Sequence, residues 1–113
     1  MNKRSLGSEK ENMAAEFLEK QGYRILEKNF RCRQGEIDII ANEGRYLVFV
    51  EVKYRADSRS GEPEEAVDAG KQYTIRRVAL YYLYRNQLSQ TTPCRFDVVG
   101  IKGEKIRVTR NAF

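Results

Sequence analysis

The chain has 113 residues, 41% of them hydrophobic and 33% charged, which fits one soluble globular domain over 1–113 rather than a disordered tail. Its 21 Lys and Arg against 16 Asp and Glu give a formal charge of +5 and favour a polyanionic partner. With no histidine present, Ser-His-Asp and Cys-His nucleophile systems and histidine-bound zinc are excluded, so any chemistry falls to carboxylates, lysine, tyrosine, backbone groups or an oxygen-liganded metal.

In chain order, Met1 to Gly7 is basic but no apolar stretch follows it, so a signal peptide is not expected. Met13, Ala14, Phe17 and Leu18 recur at helical spacing and Gly22 offers a stop, which predicts a first helix from about Ser8 to Gln21. Tyr23 to Phe30 reads as a strand. Ile37 to Ala41 reads as a second, short one, followed by a turn at Asn42 to Arg45. Tyr46 to Lys53 is the third and strongest strand and closes a hairpin over 36–53. Residues 54–62 look like a mobile loop. Asp68 is the expected N-cap of a second helix reaching about Arg85, with Ile75, Val78, Ala79, Tyr82 and Leu83 on its buried face. Pro93 precedes a fourth strand, Arg95 to Ile101, and Gly103-Glu104 turns into a last one, Lys105 to Thr109. The order αβββαββ predicts an α/β or α+β sandwich with a mixed sheet. The longest apolar run, Val78 to Tyr84, is too short to span a bilayer, so no membrane partner is expected. Cys32 and Cys94 form no C-x-x-C pair and read as reduced, partly buried thiols of a cytoplasmic protein.

The third strand carries the main chemical signal. Alternation sends Val48, Val50 and Val52 to one face and Leu47, Phe49, Glu51 and Lys53 to the other. A strand apolar on both faces is expected in mid-sheet, and a charged pair at its end then needs a partner or a metal. Chance alone predicts about one acid-x-Lys in a chain of this composition, and Glu51-Val52-Lys53 is the one it has. What raises it is Asp38 on the neighbouring strand. With a symmetric turn over Asn42 to Arg45, Asp38 is expected opposite Phe49, with Glu51 as its diagonal neighbour. Such carboxylates can hold Mg²⁺ against a phosphodiester while Lys53 orients or deprotonates the attacking water. Glu11 has two readings, a further carboxylate for the same metal or the acid of a Ser8-x-x-Glu11 capping box. Glu36 reads as a surface charge beside Gly35.

Over nearly its full length the chain resembles the bacterial YraN-type family. The matching stretches are Gly7 to Leu18, Gly22 to Leu26, Asn29 to Ala41, Val48 to Arg55, Ala66 to Lys71 and Cys94 to Val99. The resemblance implies a restriction-endonuclease-like fold, similar to archaeal Holliday-junction resolvases, with a PD-(D/E)-x-K site. By position, Asp38 is then the motif aspartate, Glu51 and Lys53 the (D/E)-x-K pair, and Glu11 the glutamate of the first helix. Two departures stand out: Ile37 replaces the usual proline before the aspartate, and Lys10 precedes Glu11 where the family generally has glycine.

The positive charge is uneven. Between Asp68 and Asp97 there is no acid, while Lys71, Arg76, Arg77, Arg85 and Arg95 are present and tyrosines interleave with them. Lys71 and the pair Arg76-Arg77 are expected to touch phosphate. Arg24, Lys28, Arg31 and Arg33 form a second basic stretch opposed only by Glu27, so two basic flanks are expected around the carboxylates. The sequence thus points to a Mg²⁺- or Mn²⁺-dependent nuclease. Its metal ligands would be Asp38, Glu51 and Glu11, and its substrate DNA rather than RNA, branched or structured, with a homodimer suggested by the resolvase analogy. The alternative is a nucleic-acid-binding module that keeps the fold without turnover.

Overall fold

The computed structural model describes residues 3–55 and 67–113. Two helices and five strands follow in the expected order: α1 (Lys3–Lys20), β1 (Arg24–Cys32), β2 (Gly35–Glu43), β3 (Tyr46–Arg55), α2 (Ala69–Arg85), β4 (Cys94–Lys102) and β5 (Lys105–Thr109). They build one sheet in the order β1-β2-β3-β4-β5. Only β3 and β4 pair in parallel, across the connection that contains α2; the other neighbours are antiparallel. β3 is therefore the central strand, as its two apolar faces require.

Each face of the sheet carries one helix. Ala14, Ala15 and Leu18 of α1 pack with Ile39, Ala41, Val48, Val50, Val99 and Ile101. Ile75, Val78, Ala79, Tyr82 and Leu83 of α2, the expected set, pack with Ile37, Ile40, Leu47 and Phe49. Side chains of this size contribute roughly 1.5–3 kcal/mol each when fully buried, which fixes strand register against both layers. On α1, Met13 is exposed and Ala15 takes the buried position expected for it, because the helix is rotated relative to the simple stripe.

The helix ends follow local chemistry. The Gly22 N–H bonds to the Glu19 carbonyl and the Tyr23 N–H to that of Leu18, with Gly22 at φ +98°, a Schellman stop that only glycine enters at no cost. Asp68 caps α2 by accepting the Lys71 N–H at 2.8 Å. At its other end α1 departs from expectation. It begins at Lys3, so Ser8 lies within the helix and the capping-box reading of Glu11 falls away.

The first four strands run longer than expected, since pairing with a neighbour extends each beyond its apolar core, while β5 has the expected bounds. Tyr54 and Arg55 belong to β3, and the expected loop from residue 56 onward lies outside the described residues. Among the described residues no helix is long and apolar enough to cross a membrane.

Candidate functional site

The hairpin register places the site. Glu43 pairs with Tyr46, leaving only Gly44 and Arg45 in the loop, and Gly44 at φ +58° occupies the first central position, where such a turn takes glycine. Ile40 then faces Phe49 and Ile39 faces Val50. This corrects the expected register. Asp38 does not oppose Phe49; continuing the ladder by one residue brings it opposite Glu51. The turn is tighter than a symmetric four-residue one, so the two carboxylate-bearing strands slide into direct register.

The ladder ends at the Ile39 to Val50 pair, and β2 changes character there. Ile37 and Ile40 lie with the α2 layer, whereas Ile39 and Ala41 lie with the α1 layer. Strict alternation therefore breaks once, between Ile37 and Ile39, at Asp38. The Asp38 carboxylate is aimed at β3, where its Oδ2 accepts the Val52 N–H at 2.7 Å. Beside it, the Glu51 side chain is only 7% exposed, and its Oε1 lies 3.4 Å from Lys53 Nζ and 3.7 Å from Lys71 Nζ. Residues from β2, β3 and the first turn of α2 thus meet where two strands part.

Electrostatics mark this point. Burial, and then the Glu51 charge, push the Asp38 carboxyl up to about 7; the Val52 N–H and Lys71 pull it down and Glu11 adds to the rise. Two hard carboxylates side by side, one unable to ionise easily for want of positive charge, form a donor set that suits a divalent oxygen-seeking cation such as Mg²⁺ or Mn²⁺. Glu11 is felt by Asp38 across the gap from α1, and its own carboxyl is pushed up by burial and by Glu36, against Arg31 and Lys28. It is not drawn into the pair: among the described residues no group of three or more Asp, Glu, Cys or His side chains is gathered as a metal cage. Asp38 and Glu51 are the pair that could hold an ion, and Glu11 is near enough for Asp38 to feel its charge.

A profile of the Uncharacterised protein family UPF0102 matches residues 10–101. The chain belongs to the UPF0102 family. It is 56% identical over 113 residues to a UPF0102 protein of Lachnoclostridium phytofermentans, covering 100% of this chain and 96% of that one. A UPF0102 protein of Caldicellulosiruptor saccharolyticus is 49% identical over 119 residues, with 100% of both chains covered. One of Thermodesulfovibrio yellowstonii is 46% identical over 108 residues, 96% of this chain and 95% of that one. The YraN-type resemblance is thus the UPF0102 relationship, and Glu11, Asp38, Glu51, Lys53 and Lys71 all lie inside the matched span.

The basic residues of this UPF0102 chain divide differently from expectation. Lys71, expected to touch phosphate, stands beside the carboxylates, its ammonium 3.7 Å from Glu51. Arg76 is exposed, with its guanidinium 4.7 Å from the Phe96 ring centre and 5.6 Å from that of Phe113. Arg77 bonds to the Tyr73 hydroxyl at 3.3 Å and stays on the solvent side of α2. Arg31 pairs with Glu36 at 3.1 Å, so that stretch is opposed by more than Glu27, and Glu36 is the surface charge expected. Arg33 is exposed. Cys32 and Cys94 are free and partly buried.

One constellation escaped sequence reasoning. Asp97 is fully buried and accepts from Arg95 Nε at 2.9 Å, from the Tyr23 hydroxyl at 2.6 Å and from the Asn111 N–H at 2.9 Å. Arg95 also pairs with Glu43, which Arg110 holds from the other side at 2.8 Å. Arg95 therefore belongs to an internal ion network and not to a phosphate-facing flank. The signal available was Asp97 itself, a lone acid inside the apolar strand Phe96 to Ile101.

Proposed function

We propose that this chain is a divalent-metal-dependent phosphodiesterase that cleaves DNA, branched or structured DNA being the favoured substrate. The observation that carries the reading is the Asp38–Glu51 carboxylate pair at the point where β2 and β3 separate, with the Lys53 ammonium 3.4 Å from Glu51. Mg²⁺ or Mn²⁺ bound there supplies a Lewis acid for a phosphate oxygen and a more acidic water. Asp38 and Glu51 would hold the ion by oxygen, and Glu11, whose charge Asp38 feels from α1, would add a further carboxylate nearby. Lys53, fixed two residues along the same strand, orients the attacking water and faces the charge that grows on the phosphate. Water oxygen bonds to phosphorus as the ester P–O bond breaks, and the departing oxygen takes up a proton. Arg33, Arg77 and Lys71 supply positive charge around the substrate path. Two sites on one branched substrate would call for a homodimer, which a solution mass measurement decides.

A second reading is favoured by one observation: Glu51 already carries two ammonium neighbours and is satisfied without an ion. A non-catalytic nucleic-acid-binding module would look the same. The two part in one experiment. Labelled junction, flap and single-stranded substrates are incubated with and without Mn²⁺, using wild type and Glu51→Ala. Metal-dependent product that vanishes in the variant supports the nuclease; equal background from both, with salt-dependent binding retained, leaves the binding module.

A further inference from the structure

The crowding at Glu51 has a chemical consequence. Two carboxylates, Asp38 and Glu51, share their surroundings with two ammonium groups, Lys53 and Lys71, and the acid–ammonium pairs of Glu51 meet at one oxygen atom. A divalent ion adds two further positive charges beside two ammonium groups that already meet at Glu51. One ammonium must yield. Lys53 lies on the same strand as Glu51, so the pleat fixes its place, and its side chain is 22% exposed. Lys71 comes from a separate element, stands farther off at 3.7 Å, and is 36% exposed. Its backbone is anchored by the Asp68 cap, while its ammonium has solvent to move into.

We propose that Lys71 is an exchangeable internal counter-ion. It occupies the cation position on Glu51 in the metal-free protein and swings out when a divalent ion binds. The freed ammonium then grips the phosphate of the nucleic acid, so metal occupancy and phosphate binding are coupled through one side chain. This deepens the nuclease reading and rests on its assignment of Asp38 and Glu51 as the ion's ligands. No covalent step is involved. The coupling is reciprocal: a bound phosphate that holds Lys71 away from Glu51 tightens the metal by the same factor as the metal tightens the phosphate.

The test uses Mn²⁺ alone against wild type, Lys71→Met, Lys71→Arg and Asp38→Asn, by calorimetry in the absence of DNA. Lys71→Met removes the competitor and should bind Mn²⁺ at least about fivefold more tightly, the low end of ordinary coupling. Lys71→Arg keeps the charge and should stay near wild type. In a second measurement, with Ca²⁺ and a labelled duplex, the ion should tighten DNA binding by wild type more than by Lys71→Met. Unchanged or weaker Mn²⁺ binding by Lys71→Met, with wild type binding the ion and Asp38→Asn not, overturns this inference alone. If wild type binds Mn²⁺ no better than Asp38→Asn, the metal-site reading falls and this one with it.

Discussion

Asp38 Oδ2 accepts the Val52 N–H at 2.7 Å, so a carboxylate of β2 is clamped by the backbone of β3 one residue beyond Glu51. The placing of the carboxylate pair is thereby set by main chain rather than by side-chain rotamers, the kind of support a metal site needs. The same clamp favours the ionised carboxylate, yet burial and the Glu51 charge outweigh it. The protein folds around an acid that it holds against its ordinary ionisation.

That conflict gives a pH signature. The Asp38 carboxyl sits at about 7 in the folded chain, above its ordinary 3.8, so between those values the folded state keeps a proton that the unfolded chain releases. The penalty is absent below about pH 4, grows through the window and is complete above about 7, so stability falls as pH rises. Asp38→Asn still offers an oxygen to Val52 but has nothing to titrate. It should flatten this slope and be more stable than wild type at pH 8 by about 1–2 kcal/mol in urea denaturation. A variant less stable than wild type at pH 8 contradicts the assignment. Mn²⁺ should raise the melting temperature of wild type at pH 8 and leave that of the variant unmoved.

The Asp97 network is a stability element separate from the site. It lies with the α1 layer, around Tyr23, while Glu51 and Lys71 meet on the α2 side. Removing Asp97 strands Arg95, whose side chain is only 12% exposed, with Glu43 as its remaining acid. Asp97→Ala should cost about 3–5 kcal/mol, the range for breaking a buried ion pair from one side. Tyr23→Phe loses the bond its hydroxyl donates to Asp97 at 2.6 Å and the one it accepts from Arg95 at 3.2 Å, and should cost about 2–3 kcal/mol. Calorimetry on Tyr23→Phe should still give the wild-type Mn²⁺ affinity; a change of tenfold would join the network to the site.

Much of this was legible in the sequence. The element order, the α2 cap and the α2 buried face follow from period and punctuation, because those are local. So does the facing of Val48, Val50 and Val52 away from Phe49. The Asp38 register was missed by two residues, since loop length is decided by how few residues Gly44 permits and not by the polar run around it. The partners of Arg76 and Arg95 are not legible in the sequence for another reason. Phe113 and Glu43 are remote in sequence and reach these arginines only through the sheet. Charge patterning reads solvent exposure well and cannot see a partner that arrives from another strand.

Gly35 tests how tightly α2 is set against β2. It opens β2 at φ +149°, and a Cβ there would lie 2.7 Å from Thr74 Cγ2 and 3.4 Å from Val78 Cγ2. Gly35→Ala should cost about 1–3 kcal/mol from the overlap and the unfavourable backbone together. Adding Thr74→Ser removes the nearer methyl and should return part of the loss, a positive coupling in a double-mutant cycle. Additive losses would place the whole cost in the backbone. Because Thr74 is one turn from Lys71, the single variant should also disturb Mn²⁺ affinity, and the double variant should restore it.

The last prediction separates paired from unpaired basic residues in nucleic-acid binding. Arg33 is exposed and has no acidic partner among the described residues, whereas Arg31 is held by Glu36 at 3.1 Å. Exposed ion pairs are worth little to stability, but they cancel charge that a phosphate would otherwise meet. Affinity for a labelled duplex measured across several salt concentrations gives a slope that counts released counterions. Arg33→Ala should reduce that slope by about 1 and weaken binding alike on every DNA sequence. Arg31→Ala should reduce it less, and Glu36→Ala should tighten binding by freeing Arg31 and lowering repulsion. Equal slopes for both arginine variants would mean that the Glu36 pair opens on binding; slopes unchanged in both would take the β1–β2 edge out of the contact surface and leave phosphate contact to Lys71, Arg76 and Arg77.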